Sequence, residues 1–286
     1  MGKLELELYL YSAGKRASLP NLFEMAELEA SAGAAAPAPA PERISIDAVI
    51  FDLDGTLLDY EGLSHELLKA PLEARGVEGF TWDLQASIVG SRPERWSEQI
   101  LEALDVPRDV LTPEAYVADY MAELEGRYGE IEPIAGAQKL VDALLARGVP
   151  LALATSTPRA SFDKKMAHHP ELLYAMSAVV TGDDVQHGKP APDAFVRAAE
   201  RLGVDPARCV VFEDSPLGIR GARAAGCFTV ALPDARVPAN AARLADLRPT
   251  FVCDRLADFD QDARLDFTKR SALAFMEEDC IRWQGA

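Results

Sequence analysis

Asp52-Leu53-Asp54-Gly55-Thr56 sets two carboxylates two residues apart at the end of an apolar run, IDAVIFD (46–52). In extended backbone the side chains at i and i+2 point the same way, so both acids can face one reacting centre. One can attack phosphorus as a carboxylate nucleophile, forming an aspartyl-phosphate. The other can protonate the leaving oxygen and then deprotonate the attacking water. Gly55 lets the backbone turn sharply away from such a site. Other apolar runs end in kind: VPLALAT (149–155) in Thr155, followed by Ser156, and CVVFED (209–214) in Glu213 and Asp214. Lys189 lies in the loop after AVVTG (178–182). Thr155, the Ser156 backbone N–H and Lys189 can hold phosphate oxygens and offset developing charge. Several carboxylates on one rim repel each other unless a hard cation sits among them, and an oxygen-only cluster suits Mg²⁺, which keeps waters and shares a substrate phosphate.

The elements that must position these residues are strands and helices in alternation. The four runs above and CFTVAL (227–232) read as buried parallel strands. Helical patterns lie between them at Ala137–Arg147, Ala191–Leu202 and Leu217–Ala225. That order predicts an α/β fold with a parallel sheet covered on both faces, whose ligands bind outside the carboxyl ends of the strands. Residues 60–132 break the alternation. They read as helices alone (Ser64–Arg75, Pro93–Leu104, Pro113–Arg127) and so as a helical module inserted after the first strand.

Composition narrows the partners. The 286 residues carry a formal charge of −17, which repels nucleic-acid phosphates and anionic lipid. No apolar run approaches the roughly 18 residues that span a membrane. The four cysteines, Cys209, Cys227, Cys253 and Cys280, are scattered, without a CxxC pair. They read as free thiols in a reducing, cytoplasmic setting. SAGAAAPAPAP (31–41) is a low-complexity linker, and residues 1–44 read as a tail. Within it KLELELYLY has the alternation of a strand, and the segment is too acidic for a transit peptide. Two imitations fail on their flanks. Asp-x-Asp-Gly with Glu61 matches most of a calcium-binding EF-hand loop, but its first ligand position is Ile50 and a strand precedes it. Gly182 to Gly188-Lys189 imitates a nucleotide P-loop, but Pro190 stands where the magnesium-binding Ser or Thr belongs.

With these residues in view, the chain resembles the haloacid dehalogenase (HAD) superfamily of phosphotransferases. FDLDGTLLD (51–59), ALATS (152–156), GKPAPDAF (188–195) and VFEDSPLGI (211–219) resemble its four motifs, in order. The resemblance covers roughly residues 45–260. It implies a Rossmann-like core at 45–59 and 133–262, a mobile helical cap at 60–132, and a C-terminal extension at 263–286. It implies that Asp52 is the nucleophile and Asp54 the general acid/base, with Thr155, Ser156 and Lys189 on the phosphoryl group. It implies Mg²⁺ held by Asp52, the Asp54 carbonyl and Asp214, with Glu213 alongside. Haloacid dehalogenases proper lack the second acid, so Asp54 favours phosphoryl chemistry. TGDDVQHGKPAPDAF and Phe162-Asp163-Lys164-Lys165 look most like pseudouridine-5′-phosphatases, with glycerol- and sugar-phosphate phosphatases nearly as similar.

The expected activity is therefore a Mg²⁺-dependent phosphatase acting on a small phosphorylated metabolite, its oligomeric state unassigned by sequence though a monomer is favoured. The alternatives are a phosphomutase on the same scaffold and a non-catalytic binding protein. Gly90-Ser91-Arg92 falls at the cap's specificity loop, where Arg92 can clamp a distal group of the substrate or simply lie solvated at a helix start. The remaining distinctive residues read as structural. His168 and His169 are placed at the surface, His187 in a loop, and Trp82, Trp96 and Trp283 in packing. FTKRSALAF (267–275) reads as a terminal helix.

Overall fold

The computed structural model describes residues 44–89, 93–237, 239–259 and 265–267. Arg92, Cys280, Trp283 and the first 43 residues lie outside these. The central sheet holds six parallel strands: β2 (Ala48–Phe51), β3 (Leu151–Ala154), β4 (Ala178–Val180), β5 (Cys209–Glu213), β6 (Phe228–Ala231) and β7 (Phe251–Val252). Their spatial order is β4-β3-β2-β5-β6-β7. The chain thus builds outward from β2 on one side and from β5 on the other. The order reverses between β2 and β5, and in such sheets the ligand crevice opens at the carboxyl ends of that pair.

The inner strands are apolar throughout because both of their faces are covered. Every residue of β2, β3 and β5 is buried. Alternate residues enter different cores, as the two-residue strand period requires. Val49, Phe51, Leu151, Leu153, Val210 and Phe212 belong to one cluster, and Ala48, Ile50, Ala152, Ala154, Cys209 and Val211 to the other. Phe51 lies opposite Phe212 in the ladder, with ring centroids 5.0 Å apart. The first core takes Ala137, Leu140, Val141 and Leu144 of α5 (Ala137–Leu145). The second takes Ala194, Phe195, Ala198 and Ala199 of α8 (Asp193–Arg201), the i, i+1, i+4, i+5 stripe of an amphipathic helix.

Between β2 and β3 lie α1 (Tyr60–Glu73), α2 (Trp82–Ile88), α3 (Pro93–Ala103) and α4 (Pro113–Glu125). Their centre is aromatic. Trp96 meets Tyr116 and Tyr120 edge-on, at 5.4 Å each, and the Tyr116 hydroxyl donates to the Leu68 carbonyl at 2.6 Å. Caps set the helix starts: the carboxylate of Asp59 accepts from Gly62 N, so α1 begins four residues before the expected Ser64. Thr81 caps α2 the same way, a helix the hydrophobic periodicity did not predict because it spans only seven residues.

Other expectations need correction. The run at 46–52 is two strands. Asp47 interrupts it, paired with Arg208 at 2.8 Å, and separates β2 from β1 (Ile44–Ile46). β1 pairs in parallel with β8 (Leu265–Phe267) in a small second sheet. Phe267 thus ends a strand, not the start of a helix, and the rest of FTKRSALAF lies outside the described residues. Two short helices absent from the expectation, α6 (Arg159–Met166) and α7 (Pro170–Tyr174), fill the stretch between β3 and β4. His168 is exposed, but His169 is half-buried. The His169 Nε2 is shut off from solvent without a hydrogen-bond partner, and burial holds its pKa below the usual imidazole value. Cys209 and Cys227 are free, buried thiols, and Cys253 is buried with its Sγ donating to the Arg255 carbonyl. After α8 the chain continues through α9 (Pro216–Ala224) and α10 (Asn240–Asp246). No helix among the described residues is long and apolar enough to cross a membrane.

Candidate active site

Asp52 and Asp214 directly follow β2 and β5, the two strands that flank the reversal in strand order. After Asp52 the chain folds into a tight turn in which Leu57 N and Leu58 N both donate to the Leu53 carbonyl at 2.9 Å. Gly55 takes φ +82°, and a side-chain carbon there would overlap the Asp214 carboxylate. Glycine is therefore needed twice over, for the left-handed backbone and for the close approach.

Lys189 reaches into this crevice from the loop before α8. Its ammonium donates to Asp52 Oδ1 and to Glu213 Oε1, the latter at 2.6 Å, and the side chains of all three are almost wholly buried. The other Glu213 oxygen accepts from the Ser215 amide at 2.8 Å and its hydroxyl at 2.9 Å. Ser215 Oγ in turn accepts from Gly218 N and caps α9. Gly218 has no room for a side chain, since a Cβ would overlap the Glu213 carboxylate. Glu213, expected beside the metal, is thus engaged in holding Lys189.

Electrostatics follow from this crowding. Burial pushes the Asp52 carboxyl up to about 7, with Lys189 opposing the rise and Glu213 adding to it. Burial also raises Asp214 well above the usual carboxylate range, and the charges of Glu213, Asp52 and Glu61 raise it further. Burial alone would lower Lys189, but Asp52 and Glu213 outweigh it and keep the ammonium protonated.

Asp54 has separate partners. Lys165 on α6 donates to both of its oxygens at 2.7 Å, and Thr157 Oγ1 donates at 2.6 Å. Lys165 is 2% exposed, and its ammonium lies 3.3 Å from the centre of the Tyr60 ring. Thr155 is buried at the end of β3, its Oγ1 accepting from Thr157 N at 3.1 Å, and Ser156 is exposed beside it. Asp52, Asp54, Thr155, Ser156, Lys189, Glu213 and Asp214 all line one cavity of about 330 Å³. Helices α1–α4 supply its other wall, through Tyr60, Glu61, Ser64, Trp96, Tyr120 and Leu124 among others.

Lys165, quoted from the sequence only within the Phe162–Lys165 stretch, and Thr157 were not expected in the site. The signal for Lys165 was its place between Phe162 and Met166 on the buried side of a short helix, where a lysine requires a partner. Arg92 lies outside the described residues.

The donor set fits a hard cation. Among the described residues no three His, Cys, Asp or Glu side chains gather as a metal-holding group. Lys165 takes both Asp54 oxygens, and Lys189 with Ser215 takes both Glu213 oxygens, whereas Lys189 takes only Oδ1 of Asp52. Asp52 Oδ2 and the Asp214 carboxylate remain, with the Asp54 carbonyl that the resemblance implies. Asp214 receives a hydrogen bond from Thr56 Oγ1 that is long, at 3.4 Å, so a buried anion there lacks strong compensation. Two carboxylates and a carbonyl suit an ion that keeps several waters.

Residues 46–226 match the family described as "Hydrolase: haloacid dehalogenase-like hydrolase". The chain belongs to this family. Among relatives of this haloacid dehalogenase-like hydrolase, "(DL)-glycerol-3-phosphatase 2" of Arabidopsis thaliana is 36% identical over 217 residues, covering 74% of this chain and 90% of that protein. "Probable pseudouridine-5′-phosphatase" of Drosophila melanogaster is 34% identical over 215 residues, covering 73% and 90%. Among solved structures, a putative β-phosphoglucomutase from Thermotoga maritima superposes with a TM-score of 0.60 at 28% identity, covering 74% of this chain and 96% of that one. The haloacid dehalogenase-like core and its strand order thus agree with the α/β reading of the sequence.

Proposed function

We propose that this protein is a Mg²⁺-dependent phosphatase that hydrolyses a small phosphate monoester through phospho-Asp52. The observation that carries the reading is the buried Asp52–Lys189–Glu213 cluster at the strand reversal, with Asp54 and its own lysine lining the same cavity. The named relatives, a glycerol-3-phosphatase and a probable pseudouridine-5′-phosphatase, support the phosphatase class.

Asp52 Oδ attacks phosphorus, and the bond from phosphorus to the ester oxygen breaks. Asp54 takes up the proton that the ester brings as its monoanion and passes it to the departing alcohol. Asp54, now a carboxylate steadied by Lys165 and Thr157, takes a proton from water as that water attacks phospho-Asp52. Inorganic phosphate leaves carrying that proton, and both acids return to their carboxylate forms. Lys189, the Thr155 hydroxyl and the Ser156 N–H hold the phosphoryl oxygens as charge develops on them. Asp52, Asp214 and the Asp54 carbonyl would hold Mg²⁺, which when bound polarises the phosphoryl group and offsets the two carboxylates.

The test is phosphate release from a panel of monoesters, with Mg²⁺ or chelator, for wild type and Asp52→Asn. Mg²⁺-dependent release that falls at least about 1,000-fold in the variant is the expected result. Release that survives Asp52→Asn overturns the aspartyl-phosphate route. Conversion of a sugar phosphate to its isomer without phosphate release would instead favour the mutase, the reading to which the phosphoglucomutase likeness points.

A further inference from the structure

Glu61 is an acid that the mechanism leaves unused. It completes the EF-hand-like spacing in the sequence, yet in the fold it sits in the first turn of α1 and lines the reaction cavity. Its position is tightly held. Gln85 Nε2 donates to Glu61 Oε2 at 2.7 Å and to the Glu61 carbonyl at 3.0 Å. Gln85 Oε1 pairs with His65 Nδ1 at 2.7 Å, and the His65 ring stacks on Trp82 with centroids 3.9 Å apart. This chain of contacts spends Oε2 and aligns the carboxylate, and Oε1 remains as an acceptor.

The rest of the wall from α1–α4 offers little else to a leaving group. The hydroxyls of Tyr60, Tyr120 and Ser64 are bonded to one another. Ile88, Val89, Trp96 and Leu124 are apolar. Among the described residues, the cavity's cations are Lys165 and Lys189, each already paired with carboxylates. Among the described residues, a second anionic group on the leaving side would therefore meet a carboxylate and find no unpaired lysine.

We propose that Glu61 selects the leaving group by accepting a hydrogen bond from a hydroxyl of a neutral, hydroxyl-bearing alcohol, a polyol or sugar. The role deepens the phosphatase reading and rests on it. A site with a fixed acceptor discriminates against an analogue that lacks the matching donor, because the partly buried acceptor is then left unpaired. Electrostatic repulsion at the same group disfavours a leaving alcohol with a second phosphate.

The experiment compares kcat/KM of the full chain with Mg²⁺ on propyl phosphate, glycerol 3-phosphate, fructose 1-phosphate and fructose 1,6-bisphosphate. The hydroxylated monophosphates are expected to exceed propyl phosphate by roughly 10- to 100-fold, and the bisphosphate to fall below fructose 1-phosphate. In Glu61→Gln the ratio of glycerol 3-phosphate to propyl phosphate is expected to shrink at least fivefold, through KM more than kcat. Equal wild-type rates on propyl and glycerol phosphates overturn the proposal while leaving the phosphatase intact. So does a preference for the bisphosphate, or an unchanged ratio in Glu61→Gln. Silence on every ester, p-nitrophenyl phosphate included, overturns the phosphatase reading and the role of Glu61 with it.

Discussion

Replacing Lys165 by Met isolates the second lysine–carboxylate pair of the site. The ammonium contacts both Asp54 oxygens at 2.7 Å and is almost wholly buried, whereas the Asp54 side chain is 17% exposed. At that distance and an effective dielectric of about 20, the direct attraction is roughly 6 kcal/mol. Desolvation of both ions offsets several kcal/mol of this. Two charge-assisted hydrogen bonds then leave a net coupling of about 2–3 kcal/mol. Lys165→Met alone should destabilise by about 3 kcal/mol, at the low end for breaking a buried pair, because Asp54 keeps Thr157 and some water. Asp54→Asn should cost less, and the double variant less than the sum of the two. Urea denaturation of the four proteins at pH 7.5 measures the coupling directly, provided their m-values agree. The coupling should change little between 0.05 and 0.5 M salt, since a buried pair is poorly screened. A coupling below about 0.5 kcal/mol would refute the claim that Lys165 holds Asp54 in place.

Two further outcomes follow from the same geometry. Burial pushes the Glu61 carboxyl from 4.5 to about 6, even with Gln85 hydrogen-bonded to it. The folded state thus binds this proton more tightly than the unfolded chain. Its contribution favours folding most below pH 4.5, declines as pH rises through 4.5–6, and stays flat above. The ceiling is about 2 kcal/mol, reduced to about 1 because the side chain is only partly buried. Glu61→Gln should therefore gain about 1 kcal/mol on wild type between pH 4.5 and 7 in urea midpoints, and a gap that does not vary with pH contradicts this. Gly218→Ala should lower stability by about 2–4 kcal/mol, despite the better helix propensity of Ala, by driving Glu213 off Ser215 and Lys189. Phosphate release should drop at least 100-fold alongside the loss in melting temperature, and an unchanged melt would show that Glu213 has room to move.

Much of this molecule was legible in order of residues alone. Apolar runs such as Val49–Phe51 and Val210–Phe212 can be satisfied only by burial on both faces, so they marked the inner parallel strands before any fold was seen. The polar residues just past those runs, Asp52, Thr155 and Asp214, had to emerge on one rim, because parallel strands all end on the same side. Local chemistry likewise set Gly55, whose left-handed turn and contact with Asp214 leave no space for a side chain. What sequence could not decide was the division of labour among like charges. Asp54 and Glu213 are carboxylates as plausible for a cation as Asp52 and Asp214 are. Lys165 takes both oxygens of Asp54 from 111 residues away, and Lys189, 137 residues after Asp52 and 24 before Glu213, is shared between those two. Glu61 became visible only when Gln85 and His65 closed around it. Strand periodicity and turn chemistry are properties of neighbours along the chain, whereas the pairing of buried charges is settled by packing, which brings distant residues within reach and removes the water that would otherwise serve them all.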